Sequence, residues 1–332
     1  MAHATTQTIT ALVSSLRRNA STLTSSSHRA KRGEVRGIHR LRVATRRLRE
    51  ALPASAELAG SERLDSDELA RELRRVTRGL GPVRELDVAR KVLADVADRE
   101  AWPEAVVARI DAYCQRLRDR ALVDAANAID SFDAREVRKG LEALSQSIEK
   151  IEKTETLDEG DELERPARGS SLDTRRREAA RILSRRIEEA GTLYAPTALH
   201  EIRIAAKKLR YVVELAGEPS PGALRRLRAL QSGLGRMHDA QVLQHRIQEL
   251  AATSGDRGLV ATMTSMERTL ETKCREWHAK LLKTLPGIRA LADAITAEVP
   301  ANVRPRNLGR PVRMAGAKPA ASEASRRRPR IA

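Results

Sequence analysis

His39-Arg40-Leu41-Arg42-Val43-Ala44-Thr45-Arg46-Arg47-Leu48-Arg49 is the stretch that decides the fold, because the chain contains it twice. It returns, in register, as His200-Glu201-Ile202-Arg203-Ile204-Ala205-Ala206-Lys207-Lys208-Leu209-Arg210. On a helix turning ~100° per residue, His39, Arg42, Arg46 and Arg49 fall within an arc of about 80°. Leu41, Ala44, Leu48 and Leu52 fall on the opposite side, at the spacing of a core-facing stripe. The second copy repeats both faces, with His200, Arg203, Lys207 and Arg210 set against Ile202, Ala205, Leu209 and Val213. Each copy therefore predicts a packed helix that presents a one-sided ladder of cations roughly 15 Å long. Like charges held in a row repel one another, so two matching ladders predict something anionic between them.

Working outward, residues 1–8 read as frayed. A first helix is predicted from Ile9 to Arg29, with Arg18 on its flank, and Gly33 punctuates it. The first ladder helix follows from Val35 to Leu58. The stripe Leu69, Leu73, Val76 and Leu80 predicts a third helix over Asp65–Leu80. That helix carries a second basic strip of Arg71, Arg74, Arg75 and Arg78. Gly79-Leu80-Gly81-Pro82 reads as a break, with a fourth helix from Val83 to Asp98. Trp102-Pro103 opens a long helix to Phe132, and another runs from Ala134 to Lys153. After an acid-rich interval the order repeats: a helix over Leu172–Ala190, the second ladder helix over Thr197–Ala216, and a third over Pro221–Leu234. Gly233-Leu234-Gly235 stands where Gly79-Leu80-Gly81 stood, His238-Asp239 matches Arg84-Glu85, and Val242 matches Val88. Two motifs recurring in one order predict an internal duplication of a helical bundle. The expected organisation is a first repeat over 5–153, an acidic linker over 154–171, a second repeat over 172–299 and a disordered basic tail over 300–332.

The composition agrees with an all-α fold. Aromatic residues are 2% of the 332 and charged residues 32%, and the formal net charge is +17. Such a charge predicts a polyanionic partner, while the scarcity of aromatic rings argues against readers of single-stranded nucleic acid. Nine basic residues against one acidic place +8 of that charge in residues 300–332, so the ladders lie in a folded part that is still basic. Cys114 and Cys274 read as free thiols in comparable long helices. There is no apolar run of the ~18 residues that cross a bilayer and no signal-peptide pattern, so the expected location is cytoplasmic, without membrane attachment.

The ladder helix His-x-x-Arg-x-x-x-Arg/Lys-Arg/Lys-Leu-Arg, present twice and followed each time by Gly-Leu-Gly-x-x-[Arg/His]-[Asp/Glu], resembles the CHAD domain, the conserved-histidine α-helical domain. The resemblance covers roughly residues 5–299. It implies two helical bundles related by a pseudo-twofold axis with a basic groove or pore at their junction. It also implies binding of inorganic polyphosphate, with polyphosphate granules as a candidate location. Carried onto this chain, the polyphosphate-binding residues are His39, Arg42, Arg46 and Arg49 on one side and His200, Arg203, Lys207 and Arg210 on the other. Secondary basic candidates are Arg18, Arg47, Lys208 and Arg228, together with the strip Arg71, Arg74, Arg75 and Arg78. Some members of the family carry an N-terminal triphosphatase-type domain with a Glu-x-Glu-x-Lys signature, and that signature is missing here, since Glu162-Leu163-Glu164 runs into Arg165-Pro166.

Polyphosphate carries about one negative charge per phosphate and offers oxygens without a stacking surface, which suits a site rich in arginine and lysine. Beside several phosphates His39 and His200 should favour their protonated form, strengthening binding at mildly acid pH. Two details stay open on sequence alone. The Gly-Leu-Gly turns either end helices or bare backbone N–H groups toward a phosphate. Arg84-Glu85 and His238-Asp239 either hold neighbouring arginines or are plain surface pairs. No zinc helix, phosphate-cradling loop, dinucleotide fingerprint or nucleophile with a base partner is present, so the expectation is a binding protein without cofactor, metal or catalytic residues. A nucleic-acid or nucleoid-associated protein is the second reading. A regulator or hydrolase in phosphate metabolism is the third.

Overall fold

In the first ladder helix, Leu41, Ala44, Leu48 and Leu52 are all buried, as a helix with one apolar face requires. A computed structural model of the chain places that stripe at the centre of one of two hydrophobic cores. The structure describes residues 2–60, 63–157, 170–216 and 221–298. Among these it contains ten helices and no strand. They are α1 (Ala2–Lys31), α2 (Val35–Ala59), α3 (Arg63–Arg99), α4 (Glu104–Asp130), α5 (Ala134–Leu157), α6 (Ser170–Ala190), α7 (Pro196–Leu215), α8 (Pro221–Ala252), α9 (Arg257–Leu282) and α10 (Leu285–Ala297). The described residues up to Glu298 form one compact unit. Most of the interval expected as a linker and the whole of the expected basic tail lie outside the described residues.

The order of packing in α1–α5 returns in α6–α10. In the first half α1 packs on α2, α2 on α3, α3 on α4 and α5 on α1. In the second α6 packs on α7, α7 on α8, α8 on α9 and α10 on α6. Across the halves each ladder helix meets its counterpart, α2 against α7, and the helices that follow them meet as well, α3 against α8. The turn into α2 needs Gly33, which sits at φ 77°, where an added Cβ would come 2.7 Å from Leu122 Cδ2. Its carbonyl accepts from Arg118 Nη2 at 2.6 Å.

Two sequence expectations fail along this chain. Residues 1–8 were expected to fray, yet α1 starts at Ala2. More consequentially, Gly79-Leu80-Gly81-Pro82 does not break a helix: α3 runs unbroken from Arg63 to Arg99 with Pro82 inside it. A proline in a helix interior costs about 3 kcal/mol. Against this, Leu73, Val76, Leu80 and Val83 form one fully buried stripe through the proline. Burying each such side chain contributes about 1.5–3 kcal/mol, so continuity wins. The glycine serves packing instead, since a Cβ at Gly79 would lie 2.6 Å from Ala128 Cβ where α3 crosses α4. Likewise Gly233 and Gly235 lie within α8, whose buried stripe Leu227, Leu230, Leu234 and Met237 passes straight through them. The amides at these four glycines belong to helical ladders, which removes both the turn reading and the phosphate-cradle reading of the motif.

The two cores divide unevenly. One is built from α1, α2, α5, the N-terminal half of α3 and the end of α4, joined by Leu172 of α6 and Leu215 of α7. The other unites α6–α10 with the C-terminal half of α3 (Leu86, Ala89, Leu93, Val96) and the start of α4 (Ile110, Cys114). The long third helix is thus anchored in both cores. Cys114 and Cys274 are free and buried in α4 and α9. Burial raises the Cys114 thiol to about 11, so it packs as a small apolar group.

A basic cleft between the ladder helices

Where α2 meets α7 and α3 meets α8, a cavity of about 340 Å³ opens. From α2 it is lined by His39, Arg42, Val43 and Arg46, and from α7 by His200, Arg203 and Lys207. The third and eighth helices supply Arg84, Glu85 and Val88 on one side and His238, Asp239 and Val242 on the other. Except for Val43, every lining residue faces its sequence counterpart from the other half. The recurrence of the second motif is thereby explained, because Arg84-Glu85 and His238-Asp239 complete the wall that the ladders begin. Four arginines and a lysine (Arg42, Arg46, Arg84, Arg203 and Lys207) meet only two carboxylates, Glu85 and Asp239, so the cavity has a positive excess even with its three histidines neutral.

The helices hold these side chains in defined ways. Arg42 Nη1 donates to the carbonyl of Thr77 at 2.7 Å, next to Arg78, whose carbonyl cannot receive a helical bond from Pro82. Gly81 leaves room for it, since a Cβ there would stand 3.3 Å from Arg42 Nη1. The buried hydroxyls of Thr45 and Thr77, 2.8 Å apart, tie α2 to α3 beside it. In the second half Gln231 occupies the matching place: its Nε2 donates to the carbonyl of Ala206 at 2.9 Å and its Oε1 accepts from Arg210 Nε at 2.7 Å. Arg203 Nε is buried without a hydrogen-bond partner among the described residues.

Crowding of charge shows in the titration of the cleft. Burial, with Arg46, Arg203 and Arg84 nearby, holds the Arg42 guanidinium below its ordinary value, and burial does the same for Arg203. Lys207 is pushed down to about 7 by burial and by Arg203, Arg46 and Arg42, with Asp239 opposing. His238 falls to about 4 through burial and the charges of Arg203, His200 and Lys207. Burial raises Asp239 although Arg203, Arg84 and Lys207 pull the other way. His39 is exposed at the rim, yet partial desolvation and Arg84 lower it. His200, also exposed, stands with its ring 5.5 Å from that of His238. Every one of these downward shifts marks a cationic form that the free cleft disfavours and that an added anion would favour.

Not all the expected site residues come together. Arg49 and Arg210, the last rungs, lie outside the cavity lining. Arg210 donates from Nη1 to Glu214 at 2.5 Å and stacks 4.6 Å above the ring of Tyr211. Arg46 approaches the same ring at 5.9 Å. Of the secondary candidates, Arg18, Arg47 and Arg228 surround a separate cavity of about 270 Å³ that also holds Glu214 and Tyr211. Arg75 is tied to Glu72 at 2.6 Å and to the carbonyl of Ser131. Arg71, Arg74, Arg78 and Lys208 are exposed on the surface. Sequence reasoning missed Glu214 and Tyr211, and the available signal was their position: they follow the second ladder where the first has Pro53 and Glu50.

An all-helical protein with a basic cleft between paired helices is the class these features define. The sequence profile of the CHAD domain matches residues 14–248, and the chain belongs to that family. It is 28% identical over 269 residues to the uncharacterized protein MT2285 of Mycobacterium tuberculosis (strain CDC 1551 / Oshkosh), a match covering 77% of this chain. The match spans about half (49%) of that relative's length. Among solved structures, the CHAD domain from the plant Ricinus communis superposes with a TM-score of 0.57 at 21% identity, covering 86% of this chain and 91% of the other. PptA from Streptomyces chartreusis gives a TM-score of 0.50 at 17% identity, over 86% and 98% of the two chains. Both likenesses are of fold. Among the described residues no helix is long and apolar enough to cross a membrane.

Proposed function

We propose that the cleft binds inorganic polyphosphate and holds it without turning it over. One observation carries this reading: arginines and a lysine from matched positions of both halves line a single cavity, with too few carboxylates to neutralise them. Arginine forks and a compact ammonium suit phosphate oxygens, and no Phe, Tyr or Trp lines the cavity to offer a nucleobase a broad stacking surface. Association of the CHAD family with polyphosphate supports the choice of polyanion. The repeated order of helix packing supports reading the chain as a duplicated bundle whose two copies meet at the ligand. The bound polymer releases counterions, so affinity falls steeply with salt.

The deciding experiment is a competition titration with the full chain. Long-chain polyphosphate should resist displacement by duplex DNA at equal phosphate concentration. Displacement by DNA would defeat this reading in favour of a nucleic-acid-binding protein, and release of orthophosphate during the incubation would defeat the non-catalytic part of it.

A further inference from the structure

The ladders end differently although their sequences match rung for rung. On α7 the last rung, Arg210, is held by Glu214 at 2.5 Å, and the same carboxylate lies 3.5 Å from Arg228 and 3.7 Å from Arg47. An internal anion therefore already sits among the three guanidinium groups at that end. The position matching Glu214 on α2 is Pro53, which carries no charge. There the last rung, Arg49, is half-buried one turn past Arg46 on α2, and Arg74 and Arg78 lie one turn apart on α3, which packs on α2; burial together with the charges of Arg74, Arg46 and Arg78 lowers the Arg49 pKa. Arg74, the counterpart of Arg228, and Arg78, the counterpart of Ser232, are exposed, and among the described residues neither enters an ion pair. Glu50 is the carboxylate nearest to Arg49 in sequence and moderates its charge, but it joins no ion pair among the described residues either. Arg46 bridges the two places, since it lines the cleft and also acts on Arg49.

We infer that Arg49, Arg74 and Arg78 form an extension subsite for phosphates of the chain leaving the cleft, and that Glu214 closes the matching exit at Arg210 and Arg228. The inference rests on the polyphosphate reading of the cleft and adds a direction to it. A short oligophosphate occupies the cleft alone; a long chain runs on over the first half and is turned away from the second. Glu214 thus acts as a resident competitor, and its neutralisation would open a second exit.

The test uses the full chain, with tripolyphosphate as the short probe and long-chain polyphosphate as the long one, titrated calorimetrically at several salt concentrations. Arg74→Ala with Arg78→Ala should leave tripolyphosphate affinity within about twofold, because both side chains lie outside the cleft. The same variant should weaken long-chain binding by roughly tenfold and reduce the salt slope by about 1–2. Glu214→Gln should tighten long-chain binding and steepen its slope, while Arg228→Ala alone should change neither. Both probes falling equally in the double variant, or the long chain binding it as well as wild type, would overturn the extension subsite. An unchanged long-chain slope in Glu214→Gln would overturn the closed exit. If wild type binds neither probe, the polyphosphate reading itself fails, an outcome distinct from all of these.

Discussion

The first-half wall of the cleft and the second-half wall begin alike and diverge rung by rung. His39 answers His200 and Arg42 answers Arg203, but Arg46 faces a lysine, Lys207, and Arg49 corresponds to an arginine already neutralised by Glu214. The supports behind the walls diverge as well. Behind the first, Asp87 of α3 accepts from Arg118 Nε of α4 at 2.6 Å, a pair buried to 2% and 10% side-chain exposure. Behind the second, the matching Gln241 of α8 donates to the hydroxyl of Tyr194 at 2.9 Å. One half uses charge where the other uses neutral polarity. What the comparison teaches is that, of the rungs, only the inner ones face their counterparts across the cavity, which is why the proposed binding is assigned to them, whereas the outer rungs and the supports differ between the halves.

The largest effect should come from removing a matched inner pair. Arg42→Ala with Arg203→Ala should weaken polyphosphate binding by about a hundredfold or more, since each charge-assisted bond contributes roughly 1.5–3 kcal/mol. Circular dichroism should show helicity intact. Undiminished binding would break the claim that the two halves share one ligand. Next come the supports, read by chemical denaturation. Arg118→Ala strands Asp87 as an uncompensated buried charge and should cost about 3–5 kcal/mol, whereas Gln241→Ala should cost about 1 kcal/mol. Equal losses would show that the charge difference between the halves has no energetic weight.

A third prediction sets Lys207 against Arg46. Burial and the charges of Arg203, Arg46 and Arg42 push Lys207 down to about 7, and around the cavity it also faces His238, Asp239 and the Arg84–Glu85 pair. Bound phosphates raise that value, so above pH 7 binding must take up a proton and affinity must fall as pH rises. Between pH 7 and pH 9 the loss should be roughly tenfold or more, at up to tenfold per unit. Lys207→Arg should flatten the profile, and a variant as pH-dependent as wild type would assign the titration elsewhere. Folding has the opposite sign. Because Lys207 is depressed in the folded state, stability should increase as pH rises from about 7 toward the ordinary lysine value. At acid pH, His238, lowered to about 4 by burial and neighbouring cations, should add proton-linked affinity of its own beside that expected of the rim histidines His39 and His200. The smallest effect concerns the paired glycines. Gly79→Ala meets Ala128 at 2.6 Å and should destabilise by about 1–2 kcal/mol, while Gly233→Ala, with Leu281 at 3.7 Å, should be neutral or stabilise by about 0.5–1 kcal/mol. Thermal melts of the two variants shifting in the same direction would deny the difference in packing.

Much of this was legible in the sequence, because an amphipathic helix with cations on one face writes both its core and its site in one period. The ladder helices and their buried stripes follow from that period, while the meeting of His39, Arg42 and Arg46 with His200, Arg203 and Lys207 at one cleft was implied by the resemblance to the CHAD domain. The continuity of α3 and α8 did not, because glycine and proline are local signals and the stripe through Leu80 and Val83 is a tertiary one. Reading the spacing of Leu73, Val76, Leu80 and Val83 as a single run would have carried the helix through Pro82. The fate of Arg210 was hidden for another reason. A carboxylate four residues along a helix is ordinary, and nothing local says that Glu214 also draws in Arg47 and Arg228 from α2 and α8.

The unbroken third helix has a mechanical consequence. Rooted at its two ends in different cores, and carrying Arg84 and Glu85 between them, it joins both jaws of the clamp into one casting. If the cleft binds polyphosphate as proposed, such a preformed clamp would need little ordering free energy for closure, and a ligand whose units are all identical could thread it in many equivalent registers. Tightness for such a ligand grows with the number of units it offers, without any new contact being made.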